Sequence, residues 1–337
     1  MSSFKQMDLD ALATARRDEW DRLATLGAKS RLTGPEADEL IAAYQSGASD
    51  HSVIRSTVGV SAHGDRLSLW LSRARRNFTG TSTEPLARMS QFFVFDLPAA
   101  LFRIRWLTLV IVAASVAVAV VVGLWLNANP QLLLHYGTAA ELKAYANQEF
   151  VGYYSAHPDA AFAGQVWTHN ATLAGATIAS GITGIGPLYF LLTNAYNVGM
   201  AGAIVSQYGR ADHFWLYIAP HGQLELYSIF VSGAAGLMLF WAWVAPGRRT
   251  RQQALIEEGR AMFTVVIGLI ISLAMSGTIE GFVTRQPWPW PIKIGIGTVA
   301  LLIFVTYQWV IGRRAFLAGY TGDLDEFEGG AKQLVAG

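Results

Sequence analysis

Cysteine is absent from the 337-residue sequence. Disulfides, thiolate metal sites and cysteine nucleophiles are therefore excluded. Charge is scarce as well. Asp, Glu, Lys and Arg together make up 15% of the chain, against about 25% in soluble globular domains. The formal net charge is +1, which offers no bulk attraction for a polyanion, so no nucleic-acid partner is expected. No Walker-type phosphate loop, glycine-rich dinucleotide fingerprint or Gly-x-Ser-x-Gly elbow occurs. GITGIG, residues 181–186, is a glycine cluster within apolar sequence and reads as a turn rather than a phosphate cradle. The first 30 residues mix Arg with Asp and Glu around no apolar core, so no cleavable signal peptide is expected there.

What the chain has instead is apolar sequence, 52% of its residues, and nearly all the loss of charge lies after Ile104. That contrast predicts an all-α protein with a polytopic membrane bundle behind an N-terminal cytoplasmic helical domain, residues 1–88. In the N-terminal domain one helix is expected over MDLDALATARRDEWDRLATLGAKS, with Leu9, Leu12, Trp20, Leu23 and Leu26 apolar. A second follows Thr33 as cap and Pro35 in the first turn, with Leu40, Ile41 and Tyr44 on one face. A third runs from Asp65 to Phe78. His51 and His63 read as surface residues. Residues 89–105 are apolar with flanking Arg and read as an interfacial amphipathic helix.

Residues 106–312 form the membrane domain in this reading. A bilayer crossing takes about 20 apolar residues, and about six crossings fit: Trp106–Leu126, two within Gln165–Tyr208 separated at GITGIGP, Leu224–Ala245, Met262–Ile279 and Ile292–Ile311. The 165–208 stretch also fits a re-entrant hairpin, although its 44 residues suffice for two crossings. Residues 127–163 become an external loop with an amphipathic helix, and 313–337 a cytoplasmic tail. Lys and Arg set the orientation. Residues 1–105 hold 14 of the 25, and Arg248, Arg249, Arg251 and Arg260 crowd into one loop. Both termini and the 246–260 loop are therefore expected in the cytoplasm, with the chain in a bacterial plasma membrane.

This topology gathers unusual polar residues toward the outer face. His169 and Asn170 open the second span, His221 and Glu225 the fourth, and Glu280 closes the fifth with Arg285 beyond it. Asn194 and Asn197 lie in the third span and are expected to bond across helices. His221 and Glu225 are four residues apart and share a helix face. Ionisable groups in hydrocarbon are expensive and usually have a partner or a function. Four roles compete: a structural lock, a proton or ion relay, a metal site, and a binding mouth for a lipid headgroup or partner segment. HGQLE is not HExxH, and the His221–Glu225 pair offers two ligands where a zinc hydrolase uses three. No metal is expected on that ground, and no cofactor or catalytic residue is expected either. Ala171, Gly175 and Ala179, and likewise Ser232 and Gly236, recur at four-residue steps that let helices pack closely or permit a homodimer. Trp288 and Trp290 in QPWPWP read as an interfacial belt.

DEWDRL, ELIAAYQSGASDHSV, WTHN, NAYNVG, HGQLEL and GTIEGFV together resemble the stage II sporulation protein M family of bacterial integral membrane proteins. The resemblance places Glu225 and Glu280 on the family's recurring polar positions, and the N-terminal region is similar to the long actinobacterial form. It implies a membrane anchor that holds envelope-degrading partners in one complex, without catalysis of its own. It also implies relatives encoded near MoxR-type ATPases. The expectation is a non-enzymatic scaffold of a cell-envelope complex, in contact with membrane lipids, with a cytoplasmic ATPase as a candidate partner for residues 1–100. The alternative is an ion- or proton-coupled transporter or lipid-handling protein using Glu225 and Glu280, and an intramembrane enzyme ranks third.

Overall fold

The computed structural model describes residues 2–29, 32–59, 61–78, 85–150 and 159–323. The chain divides into two compact units, residues 1–88 and 89–337. All the regular structure among the described residues is helical.

The first unit contains α1 (Ser2–Ala15), α2 (Arg17–Gly27), α3 (Gly34–Thr57) and α4 (Ala62–Phe78). The stretch expected as one helix breaks at Arg16, so Leu9 and Trp20 reach the same core from two helices. Leu23, Leu26, Leu40, Ile54 and Leu67 fill that core. Ile41 does not join Leu40, being 44% exposed. The buried Asp50 is satisfied by the Trp20 indole, which donates at 3.0 Å. At the start of α3, Glu36 accepts from the Thr33 backbone N–H and hydroxyl, both at 3.0 Å, and from Lys29 at 2.6 Å.

The second unit begins within a short helix, α5 (Pro85–Gln91), then a π-helical turn at Phe92–Asp96 and α6 (Leu97–Arg103). The segment expected along the membrane surface contributes Leu97, Ala100, Leu101 and Ile104 to the main core. Then come α7 (Arg105–Ala128), α8 (Ala139–Ala144), α9 (Asp159–Ala179), α10 (Ile185–Tyr208), α11 (Ala211–Val244), α12 (Arg251–Ile279), α13 (Trp290–Thr306) and α14 (Gly312–Leu317). α11 is the hub, packed against α7, α9, α10, α12 and α13. Its apolar stretch is 61% buried, while that of α7 is 17% buried and faces outward.

Five helices among the described residues are long and apolar enough to cross a membrane: α7, α10, α11, α12 with its π-helical extension to Thr284, and α13 through α14. The span expected first within 165–208 is α9. Its 21 residues would reach about 31 Å. Gln165, Thr168, His169, Asn170, Thr172 and Thr177 leave it too polar to count on composition. GITGIG does form the turn between α9 and α10. Gly184 there has φ +69°, a left-handed conformation that side chains with a Cβ rarely adopt.

The expected external loop packs as a small second core. Leu133, Leu142, Ala146 and Phe150 meet Ala203, Ile204 and Val205 of α10 and Phe214 of α11. The end of its amphipathic stretch, residues 151–155, lies outside the described residues with 156–158, as do 324–337 of the expected tail. The start of the tail folds back on the unit. Asp323 pairs with Arg260, the Gly322 carbonyl accepts from Thr264, and the Thr321 carbonyl accepts from Arg103. Arg103 also holds the buried Glu258.

A buried polar centre between three helices

Pro220 lies inside α11. Proline has no N–H to offer the turn before it, so one backbone hydrogen bond of the helix is missing there. The Pro220 carbonyl reaches α13 where Gly297 has no Cβ. A methyl group at Gly297 would collide with that oxygen. This close approach sets the height of the next residue, His221, whose side chain is 6% exposed. One turn on, Glu225 follows on the same face.

The facing helix is α12. It does not end at Ile279 but widens into a π-helical turn, Glu280–Thr284. Such turns are frequent at functional sites. Glu280 is 3% exposed and Thr284 1%. The Nε2 of His221 lies 3.7 Å from Oε1 of Glu280. Ligand-type atoms of His221, Glu225 and Glu280 all lie within 4.8 Å of one another.

Each group is oriented by a neighbour. The Nδ1 of His221 faces the Thr284 hydroxyl at 3.4 Å, and that hydroxyl reaches the Ile279 carbonyl at 3.4 Å. Ser276, one turn before Glu280, contacts both the His221 carbonyl at 3.1 Å and a Glu225 oxygen at 3.4 Å. The Asn170 side chain of α9 is a neighbouring donor that favours the Glu225 carboxylate. Beyond Thr284, the buried Lys293 donates to the carbonyls of Thr284 and Gln286, at 2.9 and 3.0 Å, and its ammonium sits 3.4 Å from the Trp290 ring centroid. A cation on the last carbonyls of a helix is favoured by the helix dipole. Lys293 therefore pins the turn that presents Glu280.

Of the polar residues singled out in the sequence, four meet here: Glu225, Glu280, His221 and Asn170. His169 does not. It is exposed, because one helical step of about 100° separates it from the buried Asn170. Asn197 is exposed, and the buried Oδ1 of Asn194 has no hydrogen-bond partner among the described residues. Asn194 therefore does not make the expected cross-helix bond through that oxygen. Arg285 lies over the Phe162 ring, 5.9 Å from its centroid. Sequence reasoning missed Ser276, Thr284 and Lys293. The first two stand four residues either side of Glu280, a spacing that marks one helix face.

Two carboxylates and an imidazole in this enclosure are costly. Removing an ion from water costs several kcal/mol even after relaxation. The hydroxyls and amide around them repay part of that. Either a shared proton or a bound cation would repay more. Beside the centre an apolar crevice of about 210 Å³ runs between α12 and α13, lined by Leu224, Ser272, Met275, Ala300, Ile303 and Phe304.

Residues 107–285 match the model of a family described as Stage II sporulation protein M. Residues 10–80 match a second model, a domain of unknown function (DUF8413). DEWDRL and ELIAAYQSGASDHSV thus fall in the second family's range, and the remaining motifs, from WTHN to GTIEGFV, in the first. No curated protein and no solved structure matches the chain.

Proposed function

The chain belongs to the stage II sporulation protein M family, and on that premise we propose that it is a non-enzymatic scaffold of a cell-envelope complex. It sits in the cytoplasmic membrane of a bacterium with both termini inside. The observation that carries this reading is the division of one chain into two units with separate cores. One is charged and of soluble type. The other has helices apolar enough for a bilayer. A chain built this way tethers a soluble binding module to a membrane platform. The module is the place for a cytoplasmic partner, such as an ATPase, and the helices offer their outward apolar faces to lipids or to membrane partners. The Lys and Arg distribution supports the orientation. In this reading the polar centre orders α9, α11 and α12, and no catalytic step is needed.

The test is affinity purification from native membranes after mild crosslinking. Wild type, a chain lacking residues 1–88, and Glu225→Gln are compared at matched expression. The scaffold reading expects a defined partner set for wild type and loss of cytoplasmic members without residues 1–88. An empty or unchanged set would overturn it.

A second reading, an ion- or proton-coupled transporter, is favoured by the buried Glu280 and half-buried Glu225 beside a proline-bearing helix. It expects flux through wild-type liposomes that Glu280→Gln abolishes while the protein stays folded.

A further inference from the structure

We propose that His221, Glu225 and Glu280 bind a divalent first-row metal ion, with zinc the best fit. The sequence pair His221 and Glu225 supplies only two donors. The π-helical turn after α12 brings the third, from a residue 55 positions beyond Glu225.

Geometry comes first. Zinc holds nitrogen and oxygen donors at about 2.0–2.2 Å, which places tetrahedral ligands about 3.3–3.5 Å apart. His221 and Glu280 stand at 3.7 Å, and no gap within the set exceeds 4.8 Å. Side-chain rotations that shorten the widest gap by up to about 1.5 Å complete the coordination distances.

Ring orientation comes second. A ligating histidine almost always gives its other ring N–H to an oxygen, which fixes the tautomer and aims the free lone pair. Here Thr284 takes that place at Nδ1, its own hydroxyl proton reaching the Ile279 carbonyl. The Nε2 lone pair then faces Glu280. Glu225 is held in the same way, by Ser276 from α12 and Asn170 from α9.

Charge comes third. Two carboxylates carry the charge that one divalent ion cancels, leaving a neutral imidazole as the third donor. In a buried setting that cancellation removes the largest cost of the arrangement. The imidazole nitrogen disfavours calcium and magnesium, which take oxygen ligands in larger sets. Closed structural zinc sites use four protein ligands. With three, at least one position stays open for water or another oxygen donor.

The experiment uses the full chain in detergent, stripped with a chelator and reloaded with zinc alone. Metal content, competition against a chromophoric chelator and X-ray absorption at the zinc edge are read. The expected result is about one zinc per chain, with one imidazole nitrogen and otherwise oxygen at about 2.0–2.1 Å. Glu280→Gln and His221→Gln lose the stoichiometric ion, and His169→Gln keeps it. Thr284→Val, which removes the hydroxyl opposite Nδ1, weakens affinity about 10–100-fold. No retained zinc in wild type, zinc equally retained in Glu280→Gln and His221→Gln, or a site with two or more imidazoles would each overturn the assignment. The absorption spectrum of wild type decides even where a variant fails to fold. Partner recruitment is a separate readout, so the metal assignment and the scaffold reading fail independently.

Discussion

Asn170 turns into the bundle and reaches Glu225, while His169, one residue earlier on α9, is exposed. Replacing Asn170 with Leu leaves the half-buried Glu225 carboxylate short of a donor. We expect a loss of about 1–3 kcal/mol, read as a lower Tm in detergent, and little change for His169→Leu. The pair also shows what sequence reveals at this scale. WTHN announces polar residues in an apolar run, but only the rotation of the helix separates the inward amide from the outward imidazole. HGQLE was readable because i and i+4 share a face whatever the helix does. Glu280 was readable as an outlier in apolar sequence. Lys293 was not, because a lone lysine near a helix start looks like an interfacial anchor. Only the folded turn shows that it caps the carbonyls behind Glu280.

At the scale of elements, α13 carries two glycines with opposite expectations. The Gly295 Cβ position is open, whereas at Gly297 a Cβ meets the Pro220 carbonyl. Gly295→Ala should stabilise by up to about 1 kcal/mol through helix propensity. Gly297→Ala should cost about 1–3 kcal/mol through overpacking. Opposite shifts in Tm check this, and equal shifts would refute the close approach. The start of α3 gives a pH test. Lys29 first, then the Thr33 backbone and hydroxyl, lower the Glu36 carboxyl from 4.5 to about 2. A carboxyl depressed on folding stabilises fully above its unfolded value and loses that contribution as pH falls through its folded one. The Tm gap between wild type and Glu36→Gln should therefore close between pH 4.5 and about 2. Thr33 and Pro35 made this helix start legible. The break at Arg16 was not, because DALATARRDEWDRL has no glycine or proline to interrupt its periodicity. α9 fell between classes because the polar residues that lower its apolarity include Asn170, the one that reaches the buried centre.

At the scale of the molecule, absent cysteine makes topology directly measurable. Single Thr250→Cys and Pro287→Cys substitutions introduce the chain's sole thiol. In intact cells a membrane-impermeant reagent should label position 287 and not position 250. Labelling at 250 would reverse the proposed orientation. Composition alone exposed the two-part plan, since charge and apolar runs occupy different parts of the chain. The number of crossings was harder, because α9 has the length of a span without the composition. The hub position of α11 has a further consequence for biosynthesis. His221 and its partner Thr284 are 63 residues apart. At about 5–20 residues per second, a ribosome takes roughly 3–13 s to deliver the second after the first. Until then Glu225 has been made without the α12 groups, Ser276 and Glu280, that complete its surroundings. Asn170, made earlier, is the partner already at hand. Order of synthesis thus makes the α9 amide the earliest-made neighbour of Glu225, with the groups of α12 arriving last.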